Sequence, residues 1–346
     1  MPLIRRAVIV LLLIGWPLVG LAAAGQDQPL TPQEYRRAPE QTYLTYPEWF
    51  LVFSPAEYAE FIAAHPPSEF PFWGHIRQFW QGYGAVLAAT RDDDLNIGYH
   101  VMVLVIGSST TVEYAVKSAY ETLIGRLSAL SRTHGMTDED RYAAAVAQDY
   151  VDFIRQTPWY EYDFWGKAAG LWTGTSLVGD DMIRKWERKY ALTTEYLVKA
   201  GYGWLIKLGT RAAYEAPSLK TAIVVAGLAD DPPALSQLQD IADFGGGRRL
   251  ITVPRYDAFK DYALALAKAG ADFIEIAGNR GPILVSLLKP AGRDMAFAGS
   301  TQLLVQPILT QPGIERDVLR IPVTQLAAFL RSLDLKAVRI EHIYDY

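Results

Sequence analysis

Apolar positions recur along this chain with three spacings, and each spacing marks a different kind of element. From Ala7 to Ala24 they form an uncharged run behind Arg5 and Arg6. Between residues 41 and 215 they return every three to four positions, as amphipathic helices require. From Leu250 to the end they fall into short runs punctuated by Gly and Pro.

The first run has the layout of a secretory signal: a basic lead, an apolar centre and the small-residue ending Ala22-Ala23-Ala24 before Gly25. As a helix it would extend about 27 Å, close to a hydrocarbon core of about 30 Å, so retention as a membrane anchor is the alternative to cleavage. Gly15, Pro17 and Gly20 weaken its second half. In either case the leading arginines hold the N-terminus in the cytoplasm and send the bulk of the chain across the membrane. Residues 1–24 are thus expected to be a signal peptide or transmembrane anchor helix. The expected location is the periplasm or cell envelope, with the inner membrane as a partner through residues 7–24.

The middle region predicts helices. Thr31-Pro32-Gln33-Glu34 and Ser54-Pro55-Ala56-Glu57 both carry a capping hydroxyl, a proline at the first helical position and a glutamate placed for a capping box. The second is followed by Tyr58, Phe61 and Ile62, and a stop at Pro66-Pro67. Phe72, Ile76, Phe79, Trp80 and Tyr83 mark one face of a further helix. Tyr99–Leu130 is the most hydrophobic stretch after the leader, but Glu113, Lys117 and Glu121 sit at i, i+4 spacing and would be costly in lipid, so a soluble helix is expected. Val101–Ile106 reads as a buried strand or the start of that helix. Thr137 and Asp140 form another capping pair ahead of Tyr142, Val146, Tyr150 and Phe153.

A long helix is expected from Asp180 to Glu215. Its cations Arg184, Lys185, Arg188, Lys189, Lys199, Lys207 and Arg211 read as the solvated edge of a bundle helix. The competing reading lays its second half against a bilayer, with Trp204 at headgroup level.

Breakers then accumulate at Asp230-Asp231-Pro232-Pro233 and Gly245-Gly246-Gly247, which places a linker at residues 231–247. Beyond it the pattern predicts strands at Leu250–Val253, Asp272–Ala277, Ile283–Leu288, Gln302–Leu309 and Val338–Tyr346, and helices at Asp257–Ala269 and Val323–Leu333. The expected fold class is α+β. A mainly helical, aromatic-rich domain (25–230) precedes a ferredoxin-like α+β sandwich (248–346), in which antiparallel strands are covered by two helices. No internal repeat is visible.

Composition narrows the function. A net charge of −5 with no basic run disfavours nucleic acid. The absence of cysteine excludes disulfides, thiolate metal sites, covalent c-type haem and a cysteine nucleophile. The 20 Tyr and 9 Trp suit a ring-packed helical core, a membrane-interface belt or a sugar-stacking surface.

Candidate chemistry is sparse. Glu48, His75 and His100 are the candidate acid/base residues, with Trp49, Trp73, Trp80 and Glu113 as candidate ligand contacts. No His-Glu-x-x-His or Glu-x-x-His spacing supports a metal, and neither metal nor cofactor is expected. Glu161 and Asp163 amid rings suggest a packed helix start more than a glycosidase pair. No Gly-x-Ser-x-Gly elbow occurs. Gly245-Gly246-Gly247-Arg248-Arg249 offers an anion site at Arg248 and Arg249. His342 reads as a satisfied core histidine.

The reading is an exported cell-envelope protein with a binding or scaffolding role in preference to catalysis, whose partner is an envelope protein or lipid. The alternatives are an envelope hydrolase using Glu48, His75 or His100 in an aromatic pocket, and a lipid or hydrophobic-ligand binder with an apolar cavity in the helical domain.

Overall fold

The helical half is organised around α1 (Gln41–Ile62), which runs uninterrupted through Pro47 and Pro55. Each proline removes one helical N–H, so packing must hold the helix together. Tyr43, Leu44, Tyr46, Trp49, Phe50 and Phe53 are all buried, and a helix with rings this widely buried is a core element. Ser54 therefore lies within a helix and starts none: its Oγ sits 2.9 Å from His75 Nδ1 and 2.8 Å from the Tyr114 hydroxyl. The same signature at Thr31 yields only a 3₁₀ turn, Gln33–Tyr35, because the Thr31 amide and hydroxyl are both given to the distant Glu275 carboxylate.

The computed structural model describes residues 28–93, 96–133, 135–210, 218–228, 235–294 and 297–346. After α1 come α2 (Phe72–Ala89) and α3 (Ile97–Tyr120); a π-helical turn at Glu121–Gly125 carries α3 on into α4 (Arg126–Leu130). Then follow α5 (Asp138–Ile154), α6 (Phe164–Gly174) and α7 (Met182–Thr210). The capping box that starts α5 forms as the sequence predicts, between Thr137 and Asp140. Val101–Ile106 is helical, and of this stretch Val103 is buried while Val101 and Val105 are 52% and 49% exposed.

The cations at the start of α7 are sealed, where a solvated edge was expected. Arg184, Lys185, Arg188 and Lys189 are between 0% and 4% exposed. Arg184 pairs with Asp140 at 2.7 Å, Lys185 and Lys189 each reach Glu139 at 3.2 Å, and Arg188 reaches Glu121 at 2.9 Å.

Among the described residues no helix is long and apolar enough to cross a membrane. This corrects the expectation of a transmembrane helix; in α3 the apolar run gives way to Ser108-Ser109-Thr110-Thr111 and then to Glu113 and Lys117, and α7 carries charged residues from Arg184 to Lys207. Residues 1–24, to which the span and the export signal were assigned, lie outside the described residues.

The second half is mixed helix and sheet, with two antiparallel four-stranded sheets. The first contains β1 (Lys220–Ala226), β2 (Gln239–Asp243), β3 (Arg248–Pro254) and β4 (Asp272–Ile276), with α8 (Phe259–Lys268) before β4. The second contains β5 (Pro282–Pro290), β6 (Thr301–Pro307), β7 (Ile314–Pro322) and β8 (Arg339–Tyr344), with α9 (Val323–Ser332) before β8. The strands divide between two sheets instead of lining up in one. Sheet structure begins at Lys220, and β2 falls within the stretch read as a linker.

The spatial orders β2-β3-β1-β4 and β6-β7-β5-β8 are the same motif twice. The register repeats as well: pairing slips between Asp240 and Ala242 in one sheet and between Gln302 and Leu304 in the other. A second slip follows Val224, opposite Glu275, and its counterpart follows Ser286, opposite His342. The sheet-containing half is thus internally duplicated, with Glu275 and His342 at equivalent positions.

One face of each sheet joins α8 and α9 in a shared core that includes Ile223, Phe259, Val285, Phe329 and Ile343. The opposite faces are covered by N-terminal segments. Leu30 and Tyr35 lie over Ala222, Val224 and Leu250, while Tyr43, Tyr46, Trp49 and Phe53 of α1 lie over Leu284, Val318 and Tyr344. The second contact is pinned by buried charge: Arg316 reaches Glu57 of α1 at 3.0 Å and grips Glu341 at 2.6 and 2.7 Å.

Removing that cation strands two carboxylates away from water. Arg316→Met is expected to cost about 3–5 kcal/mol in urea unfolding followed by tryptophan fluorescence. A loss below about 1 kcal/mol would show that the ion pairs do not hold the halves together.

Candidate functional site

Helices α1, α3, α5 and α7 do not close completely on one another and leave a cleft of about 1850 Å³. Its walls are mostly aliphatic and aromatic. Val112, Val116 and Val198 line it and are 63%, 62% and 64% exposed, so these α3 and α7 side chains lack the packing partner that a bundle normally supplies.

Of the charged side chains that interrupt the apolar lining, four meet one another between α3 and α7. Glu113 and Lys117 are one turn apart on α3, and Glu195 and Lys199 one turn apart on α7. Lys117 lies 3.5 Å from Glu113 and 2.8 Å from Glu195; Lys199 lies 3.0 Å from Glu113 and 3.1 Å from Glu195. The four ion pairs close into a square with no net charge. Desolvation alone would push both carboxyls up, but the two lysines outweigh it and hold Glu113 and Glu195 below the usual carboxylate range. The square therefore stays fully ionised at neutral pH. Lys117 sits 4.8 Å from the centre of the Tyr58 ring and Lys199 5.4 Å from that of Tyr150, which fixes both ammonium groups over aromatic faces.

At the end of the cleft next to the sheets, Tyr99 donates a short hydrogen bond to Glu48, whose carboxyl is pushed up by burial against the opposing pull of that bond and of Arg255. Arg255, Tyr256 and Asp345 complete this end. Burial pushes Asp345 up to about 6, with Arg255 and Arg37 pulling the other way. Tyr256 adopts φ +62°, a strained value for a residue with a side chain, and stacks under the Arg255 guanidinium at 5.0 Å.

The sequence candidates divide among several places. Glu48, Trp49 and Glu113 line the cleft. Trp49 also stacks on His342 with ring centres 3.6 Å apart. His100 bonds the Tyr83 hydroxyl at 3.1 Å, and His75 belongs to the Ser54 network. Among the described residues no hydrogen bond or ion pair joins any two of Glu48, His75 and His100. Trp73 is exposed, and Trp80 donates to Thr111 at 3.0 Å. At the glycine turn Asp243 accepts from the Gly245 amide at 2.7 Å, and Asp240 pairs with Arg249. Protein carboxylates thus take up donors that an external anion would need, while Arg248 is exposed. His342 is a core residue, but neither ring nitrogen has a hydrogen-bond partner among the described residues.

Ser54, His75 and Glu57 line up as hydroxyl, imidazole and carboxylate, with His75 Nε2 3.6 Å from Glu57. Ser54 and His75 are each 1% exposed, so no substrate reaches the hydroxyl, and the arrangement acts as a clamp between α1 and α2. Among the described residues no group of three His, Cys, Asp or Glu side chains is placed to hold a metal ion. Sequence reasoning passed over Glu195 as a site residue, although Glu195 and Lys199 repeat the spacing of Glu113 and Lys117. No protein-family model, curated protein or solved structure matches the chain.

The clamp generates a pH test. Burial raises Glu57 from 4.5 to about 7, so the folded chain holds that proton more tightly than the unfolded one and gains stability as pH falls through this window. Burial, with Arg316 adding, lowers His75 from 6.5 to about 3, so stability is lost at this site as pH falls below 6.5. The two oppose each other in wild type. In Glu57→Gln only the imidazole contribution is left, and Tm by scanning calorimetry is expected to fall more steeply than wild type on acidification from about pH 6.5 to 4.5. Parallel slopes would discard this pairing.

Proposed function

We propose that the helical half is a binding module for a large apolar or amphiphilic molecule of lipid type, held in the cleft between α1, α3, α5 and α7. The observation that carries the reading is the cleft volume of about 1850 Å³ behind apolar walls. Drug-sized ligands occupy pockets of roughly 300–1,000 Å³. The apolar side chains exposed along α3 and α7 support the same reading, since soluble proteins seldom leave contiguous apolar surface uncovered without a binding role.

In this proposal the α+β half, with its ferredoxin-like reading, is a platform that holds α1 in place. The compartment proposed is the cell envelope, on the strength of the Arg5–Ala24 layout. A second reading, scaffolding through a protein partner, is favoured by Leu123, Leu127 and Leu130, which are 67%, 67% and 78% exposed at i, i+4 and i+7 spacing and lie outside the cleft lining.

Titration of the purified chain with the apolar fluorophore N-phenyl-1-naphthylamine is expected to saturate and to be reversed by added phospholipid. Val116→Asp places a charge on an exposed wall position, so it should weaken the probe about tenfold or more while leaving stability within about 0.5 kcal/mol. Probe uptake that does not saturate, or that the aspartate leaves unchanged, would remove the cleft as the binding site.

A further inference from the structure

We infer that the Glu113–Lys117–Glu195–Lys199 square is a headgroup site selective for zwitterionic amphiphiles, molecules that carry an ammonium and a phosphate on one polar end. The inference rests on the lipid-binding reading of the cleft and adds to it which lipids are taken.

What distinguishes the square from ordinary structural ion pairs is where its exposure lies. The Arg184–Lys189 cations on the same helix are sealed at 0% to 4%. In the square, Lys117, Lys199, Glu195 and Glu113 retain 18%, 19%, 23% and 36% side-chain exposure, and all four line the cleft. Charges held in an apolar cleft yet open to its lumen are available to a ligand. Every ion pair of the square runs through Oε1 of each glutamate, which leaves the Oε2 atoms outside these four contacts.

The charge balance then selects the partner. A phosphate approaching the lysines meets a carboxylate within 3.0 Å of Lys199 and 2.8 Å of Lys117. A purely anionic headgroup therefore brings a third negative charge into a site whose two cations are already neutralised, and its desolvation goes uncompensated. A headgroup with its own ammonium supplies the missing cation: phosphate oxygens accept from Lys117 and Lys199, while ammonium N–H groups donate to Glu113 and Glu195. Ligand and site then form an alternating array without net charge. The apolar α3 and α7 walls take the acyl chains.

The test is to incubate the full chain with vesicles of equimolar phosphatidylethanolamine and phosphatidylglycerol, re-isolate it and identify the retained lipid by native mass spectrometry. Phosphatidylethanolamine is expected to be enriched about tenfold over phosphatidylglycerol. Glu113→Gln with Glu195→Gln leaves two uncompensated lysines in nearly the same shape, and should reverse the preference toward phosphatidylglycerol. If circular dichroism shows that the double variant is unfolded, Glu195→Gln alone is expected to lower the enrichment at least threefold. Retained lipid that mirrors the vesicle composition, or an unchanged preference in the glutamine variants, overturns the headgroup assignment. Saturable probe binding together with that result removes the assignment alone, whereas loss of both probe and lipid binding removes the lipid-binding reading beneath it.

Discussion

Charge that leaves water must find a partner, and α7 is where this constraint shapes the helical half most strongly. Along one helix, Arg184, Lys185, Arg188 and Lys189 meet carboxylates from the start of α5 and from the π-helical turn, and further on Glu195 and Lys199 meet α3. Such pairs add little net stability, since desolvation offsets most of the attraction. They do penalise wrong arrangements, because sliding α7 by one turn would bury several ions without partners. The acidic first turn of α5, with Asp138, Glu139 and Asp140, also complements that helix's own dipole. The π-helical turn brings Glu121 toward Arg188, and the close approach needs Gly125, where a side chain would run into Glu121. Ion pairing thus sets the helix register, and the register sets the width of the cleft.

The junction between the halves follows the same logic in a drier setting. Sheet duplication presents two equivalent outer faces, and the chain covers both with what precedes them. On the first, Glu275 accepts from the Leu30 and Thr31 amides; on the second, the equivalent His342 lies under Trp49. Thr42 fastens the start of α1 by donating to the Tyr344 carbonyl at 2.7 Å and accepting from the Leu284 amide at 3.0 Å. Between α2 and β6 the Gln78 side-chain amide donates to the Pro307 carbonyl and the Gln306 side-chain amide donates to the Gln78 carbonyl. A helix with two internal prolines persists because it is fastened at both ends, by Thr42 and by the Glu57–Arg316 pair.

Local signals were legible in the sequence, and long-range ones were not. The Thr137–Asp140 cap and the Glu113–Lys117 pair depend on residues one turn apart, and both form. At Ser54 the same local grammar misleads, since the hydroxyl finds His75 and Tyr114, which only tertiary folding brings near. Strand β1 went unseen because Ala222–Val225 is buried on both faces and carries no alternation. The duplication was hidden because register is retained while chemistry is not: Glu275 matches His342, and Arg249 matches Asp317. At the candidate site each half of the charged square is a visible i, i+4 pair. That the two halves face each other is a property of helix packing, which spacing alone does not encode.

The cleft itself follows from a mismatch between side-chain size and helix spacing. Large rings, Tyr58, Tyr150 and Phe164 among them, hold the helices apart at the level of the square, where the ammonium groups rest on their faces. Beside these props the walls carry short side chains such as Val112, Val116, Ala147 and Val198 among larger ones such as Met102, Ile106 and Ile124. Closing the cleft by moving α3 toward α7 would drive the lysines into the rings and break the ion pairs that fix both helices. Substituting larger aliphatic residues would fill the space at little cost to the square. The small wall residues, set beside large and rigidly placed props, therefore keep the space open without destabilising what surrounds it, which is what the proposed binding of a bulky apolar molecule needs.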